Sequence, residues 1–157
     1  MNRKFTAVSF ILTVILWTAG VVMPHGAWAH CEIPCGIYDD GARIQMMLED
    51  ATTIEKSMQQ ATELSGKTPV NYNQLVRWIN NKELHADKIQ HTTAQYFMTQ
   101  RIALDAKDYD KKLAALHQIL VYAMKCKQTM DLENVAKLRG AIKTFSDLYL
   151  GHTHEKE

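Results

Sequence analysis

Apolar and polar positions recur at helical spacing through most of the chain. Over residues 42–64, Ile44, Met47, Leu48, Ala51, Ile54, Met58 and Ala61 are separated by steps of three and four, which makes one apolar stripe along an amphipathic helix. Asp39, Asp40 and Gly41 precede it as turn and capping residues, and both aspartates stand where a helix N-terminus favours negative charge. Gly66 is placed to end this helix, and Pro69 blocks its resumption. A second, longer helix is expected from a cap at Asn71 or Asn73 to about residue 104, with Leu75, Ile79, Ala86, Ile89, Thr93, Tyr96 and Phe97 in its stripe. Asn80-Asn81 is its weak point, because asparagine is a modest helix former, and a break is allowed for there. Residues 105–108 read as a connection. A third helix follows to about Gln128, with Leu113, Leu116, Leu120, Ala123 and Met124 facing inward. Asp131 caps a fourth, which carries Leu132, Val135, Leu138, Ile142, Phe145 and Tyr149, and residues 151–157 form a polar tail. With no strand pattern and short links, this predicts an all-α, antiparallel four-helix bundle over residues 39–150.

The first 29 residues follow a different rule. Asn2, Arg3 and Lys4 make a positive start, residues 5–23 are an apolar run, and Pro24 and Gly26 break it ahead of Ala27-Trp28-Ala29. That tripeptide has the small-x-small form of a signal-peptidase site. The competing reading is an uncleaved anchor, since the apolar run is nearly long enough to span a bilayer. Cleavage is favoured, which predicts an exported protein, periplasmic or extracellular, with no membrane attachment afterwards. Arg3-Lys4 is not a twin arginine.

Removing 29 residues from 157 leaves 128, one domain by length and enough to bury a core. The whole chain carries +1, and the leader holds two basic residues and no acid, so the remainder is near −1. There is no basic stripe to recommend nucleic acid. An almost neutral field also steers a small anion weakly, so steering falls to charges near the site.

The chemistry concentrates in residues 30–38, His-Cys-Glu-Ile-Pro-Cys-Gly-Ile-Tyr. If cleavage follows Ala29, the backbone nitrogen of His30 becomes an amine, a far better metal ligand than an amide. That amine and the deprotonated amide nitrogen of Cys31 close one five-membered chelate ring, and the same amide and the Cys31 thiolate close a second. Pro34 and Gly36 favour a turn that returns the Cys35 thiolate to the fourth position. Two nitrogens and two sulfurs in a plane suit Ni(II) or Cu(II) rather than tetrahedral Zn(II). The His30 imidazole remains as an axial fifth ligand, and a metal that gains and loses it can cycle between a planar reduced and a five-coordinate oxidised state. A structural Cys31–Cys35 disulfide is the competing reading for an exported chain. It would close too short a loop to constrain much of the unfolded chain, and it gives no reason for a histidine at the cleavage boundary.

The pattern H-C-x-x-P-C-G-x-Y at a processed N-terminus resembles the nickel hook of nickel-dependent superoxide dismutases, matching at His30, Cys31, Pro34, Cys35, Gly36 and Tyr38. The helical region downstream is similar in size and kind. The resemblance implies disproportionation of superoxide to dioxygen and hydrogen peroxide at a Ni(II)/Ni(III) centre. It implies one nickel per subunit, held by His30, Cys31 and Cys35, in a homohexamer of four-helix bundles. It favours a catalytic place for Tyr38 near the open axial face over simple packing, and it makes Tyr96 in Gln95-Tyr96-Phe97 a second tyrosine near the nickel. Glu32 stands where the commonest form of the family has aspartate. With the register across residues 39–42 open by one, Gln45 falls at or beside a place where some members have a glutamate that holds the axial imidazole.

Other candidates read more plainly. Cys126, late in the third helix, is a small core residue. His85, His91 and His117 lie on helices without the Glu-x-x-His spacing of di-iron bundles and read as surface or core-edge residues. His152 and His154 belong to a solvated tail. Met46 and Met47 read as packing residues, and Trp78 as core or subunit contact. Neither C-x-x-C nor C-x-x-C-H occurs, so thioredoxin-like redox chemistry and covalent haem are unsupported. The function that competes with an enzyme is an exported, non-catalytic metal-binding or metal-delivery bundle using the same hook.

Overall fold

The structure is a computed structural model that describes residues 31–34 and 36–151. The expected signal segment, His30, Cys35, His152 and His154 lie outside the described residues. Four α-helices form the bundle: α1 Asp40–Ser65, α2 Tyr72–His91, α3 Tyr109–Gln128 and α4 Leu132–Leu150, with α2 extended by a π-helical stretch, Thr92–Arg101. Three of the caps are those expected. Asp39 accepts from Ala42 N at 2.9 Å, Asn71 from Gln74 N at 3.2 Å and Asp131 from Glu133 N at 3.0 Å, so each start has a donor of its open first turn satisfied. No described helix is long and apolar enough to cross a membrane.

Cross-links between helices give the topology. Asp50 pairs with His85 and Ser57 with Asn81, so α1 and α2 run antiparallel. Lys82 reaches the carbonyl of Lys127, and Gln90 that of Leu120, so α2 and α3 are antiparallel. Arg139 binds Glu55 at 2.8 Å, and Tyr149 binds Asp40 at 2.8 Å, which sets α4 antiparallel to α1. The apolar stripes meet inside. Met47, Ile54, Met58, Ile89, Phe97, Leu116, Ile119, Leu138, Ile142 and Phe145 are essentially inaccessible to solvent. Cys126 joins them as a core residue, and burial pushes its thiol up to about 11.

Several expectations need correction. The helix passes through Asn80-Asn81 without a break, because Asn81 Nδ2 turns inward and donates to the buried Ser57 hydroxyl at 3.1 Å. The irregularity comes later, and the extended helix stops at Arg101 rather than near residue 104. There the hydroxyls of Thr93 and Thr99 bond the carbonyls of Ile89 and Ala94, competing with the regular backbone ladder. Ile102 N then bonds Phe97 O at 3.0 Å, the five-residue step of a π turn. Met124 and Leu132 are exposed; the inward face of α3 is set by Ile119, Ala123 and Cys126, and Leu132 opens its helix at the bundle's end.

The π turn has a geometric consequence. In an α-helix of about 3.6 residues per turn, residue 101 would stand roughly 140° around the axis from residue 96. The wider π turn, bonded from i to i+5, carries it well back toward the side of residue 96. Both Tyr96 and Arg101 therefore reach Asp40, the first residue of α1. Arg101 grips that carboxylate with Nε at 2.9 and 3.1 Å and Nη2 at 2.6 Å, Tyr96 donates its hydroxyl at 2.5 Å, and Tyr149 of α4 donates at 2.8 Å. Burial pushes the Asp40 carboxyl up, but the bonds from Arg101, Tyr96 and Tyr149 and the guanidinium charge outweigh it and hold the group below its ordinary value. Burial, and then the bond to the same carboxylate, pushes Tyr96 and Tyr149 each up to about 12. Around this knot, Phe97 packs edge-on against Tyr96, Phe145 and Tyr149 at 5.0, 4.9 and 5.6 Å.

Two signs of pH dependence follow. Asp40 is lowered in the fold, so its contribution is present above the unfolded carboxylate value and is lost as pH falls through the lower folded value. Tyr96 and Tyr149 are raised, so theirs is intact below about pH 10 and is lost as pH climbs through about 12. In a spectroscopic titration of tyrosinate, Tyr96 and Tyr149 should ionise only towards about pH 12, and Asp40→Asn should bring both down. Asp40→Asn should also cost about 3 kcal/mol in denaturant unfolding, since it strands a partly buried guanidinium. Unchanged late titration in that variant would refute the shared carboxylate.

Candidate metal centre

The stretch ahead of α1 is anchored rather than loose. Ile33 packs its side chain against the core, and both its backbone groups are taken by one side chain. The Ile33 N–H donates to Gln100 Oε1 at 3.2 Å, and the Ile33 carbonyl accepts from Gln100 Nε2. The chain then reverses: Ile37 N bonds Pro34 O at 3.2 Å, closing a four-residue turn. Gly36, third in that turn, has φ of 92°. A Cβ there would meet nothing within 4 Å, so glycine is required by the backbone conformation and not by space.

Tyr38 closes the segment. It is half-buried and packs on the core. The Arg101 guanidinium lies 3.8 Å from its ring centroid, the Tyr96 ring stands edge-on at 6.4 Å, and Gln100 Nε2 is 3.3 Å from its hydroxyl. Arg101 is already fixed by Asp40, so the cation that stacks on Tyr38 is held in place by the α1 N-terminus. Glu32 makes a further tie, Oε1 to His91 Nε2 at 3.0 Å, but its side chain is 35% and that of His91 60% exposed, and such a surface pair contributes little.

The fold sets Tyr38 against Tyr96, and Cys31 is half-buried two residues before the anchored Ile33. The hydroxyl of Tyr96 is bonded to Asp40. Gln45 is exposed on α1. His85 is committed to Asp50, His117 is exposed on α3, and Cys126 is inaccessible. Among the described residues, no three histidine, cysteine or acidic side chains are grouped to hold a metal.

Four residues of this arrangement were not found from the sequence. Asp40 reads there as a turn and capping residue, and Tyr149 as one more member of an apolar stripe. Gln100 continues the spacing of the second helix's stripe, four residues after Tyr96, but nothing local names its partner; Arg101 falls off that stripe, and only the i to i+5 step of a π turn turns it toward the side of Tyr96. A threonine-rich stretch, Thr92, Thr93 and Thr99, was the one local sign that the helical step changes there.

Comparison with known families bears on the same segment. The description of nickel-containing superoxide dismutases matches residues 25–153, which takes in the whole of residues 30–38 and all four helices. No curated protein and no solved structure matches. The match favours an enzyme over a metal-delivery bundle. A four-helix bundle with an anchored N-terminal segment, matched over residues 25–153, identifies the chain as a member of the nickel-containing superoxide dismutase family, an oxidoreductase that uses nickel and takes superoxide as substrate.

Proposed function

We propose that the chain is exported, is cleaved after Ala29, and holds one nickel per subunit through the His30 amine and imidazole, the Cys31 amide and thiolate, and the Cys35 thiolate. The observation that carries this reading is the anchoring of the Cys31 segment: Ile33 is fixed by Gln100 and the chain turns back between Pro34 and Ile37. The donor chemistry fits. Of the two described cysteines, Cys126 is sealed in the core with its thiol pushed up to about 11, whereas Cys31 is partly accessible on a held backbone. Metal binding needs a deprotonated, reachable sulfur.

Bound nickel supplies a one-electron shuttle between Ni(II) and Ni(III), made accessible by two thiolates and an anionic amide. The chain does the rest. Tyr38 orients superoxide or a proton-bearing water with its hydroxyl, and Gln100 and Arg101 hold that ring. Tyr96 supports it from the other side, its own proton kept on the oxygen by burial and by Asp40. Arg43, 5.1 Å from the Tyr96 ring, is in no ion pair among the described residues and supplies local positive charge for an anionic substrate. The bundle limits access of peroxide to the thiolates, which exposed sites lose to oxidation. A homohexamer is the assembly consistent with the family, and Ile37, 68% exposed in the hook turn, is an apolar residue for a neighbouring subunit to cover.

The mass of the secreted protein should correspond to a chain starting at His30. One added residue ahead of His30 should abolish nickel-dependent dismutation; full turnover from a chain so extended would end this reading. Cys31→Ser should neither retain nickel nor turn over. His30→Gln should keep the planar ligands but impair cycling. Tyr38→Phe should keep nickel and lower kcat about tenfold, the cost of one hydrogen bond in the transition state, and an unchanged kcat would return Tyr38 to a packing role.

A further inference from the structure

We infer that Gln100 is a positioning residue of the nickel hook: its one planar amide ties the middle and the end of the hook to the π-helical stretch, and so presets the hook backbone for metal. The inference rests on the ligand assignment proposed above.

The argument is one of valence. The carboxamide has one acceptor oxygen and two N–H donors in a plane. The oxygen accepts from Ile33 N at 3.2 Å, and Nε2 donates to the Ile33 carbonyl and lies 3.3 Å from the Tyr38 hydroxyl. All three capacities are used on the hook. No other side chain of this length fits: glutamate lacks donors, lysine and arginine lack an acceptor, and methionine lacks both. The partner is equally particular. Ile33 is two residues from each of Cys31 and Cys35, so holding both its backbone groups constrains the loop between the two proposed thiolate ligands. Tyr38 is the residue after which the cap of α1 begins. One side chain thus acts on the hook 67 and 62 positions away in sequence.

Its aim comes from its place on the helix. Gln100 follows Tyr96 by four residues and so shares its side, and the i to i+5 step of the stretch lets the next residue, Arg101, reach Asp40 and lock the end of the helix beside Gln100. A backbone held in the binding conformation loses less freedom when metal arrives, and groups that orient ligands commonly change metal affinity by about 10- to 100-fold. Gln100 is half-buried at the bundle's end and outside the core cluster, so its loss is felt by the hook and not by the fold.

The test uses the processed, nickel-loaded protein with Gln100→Leu, which keeps the volume, and Gln100→Glu, which keeps the acceptor and removes both donors. Three measurements are made: exchange of the Ile33 amide hydrogen, release of Ni(II) to a chelator, and the thermal midpoint. Gln100→Leu should raise Ile33 exchange at least tenfold, and both variants should release nickel about 10- to 100-fold faster, with midpoints within about 2 °C of the parent. Unchanged nickel release in both variants overturns the inference, whether or not exchange rises. So does faster release accompanied by a large fall in midpoint, which would mark a general structural role. Cys31→Ser separates the two ideas: nickel retained in that variant sinks the ligand assignment, while nickel lost there but held normally by the Gln100 variants sinks only the role of Gln100.

Discussion

The arrangement depends on a single carboxylate. Asp40 opens α1 and is held by a guanidinium from the end of the π-helical stretch and by two phenols, one from that stretch and one from the end of α4. Three chain segments distant in sequence are joined where the hook enters the bundle. A carboxylate bonded by two guanidinium nitrogens and two phenol hydroxyls in a partly buried place remains ionised, and each partner is in turn confined. Arg101 cannot leave Asp40 without stranding charge, so the face it presents to Tyr38 is constant. The geometry of the hook's last residue is therefore a property of the bundle.

This divides the labour in the molecule. The ligands proposed for nickel all come from residues 30–35, a stretch too short to hold its own shape. The bundle contributes no ligand among the described residues, yet it determines the hook's path: the carboxamide of Gln100 holds Ile33, glycine permits the reversal at Gly36, and Asp39 caps the helix that follows. A redox site that exchanges a single axial ligand asks for its other donors to stay in place, and a short peptide attached at several points to a rigid end meets that need.

The fold was legible where the signals are local. Caps at Asp39, Asn71 and Asp131 and the stripes through Met47, Ile89, Leu116 and Leu138 depend on neighbours three or four residues away, and these came through. The family resemblance carried by residues 30–38 is local too, and the family match covers those residues. What was hidden was either non-local or off period. Asn81 reads as a helix weakener until Ser57 is placed opposite it. Gln100 gives no local sign of a role until Ile33 is brought to it. Arg101 points elsewhere on any wheel drawn at 3.6 residues per turn. Met124 and Leu132 are apolar at plausible positions; the inward face set by Ile119, Ala123 and Cys126 decides against the first, and a place at the bundle's end against the second.

The burial of Cys126 has a practical side. Its sulfur lies in a seam between helices, out of reach of solvent, so an alkylating reagent added to folded protein cannot label it. Any adduct formed before denaturation must come from the other two cysteines, and one formed only afterwards from the interior. Counting labelled sulfurs before and after unfolding therefore reports the state of the N-terminal loop and the integrity of the bundle in a single sample.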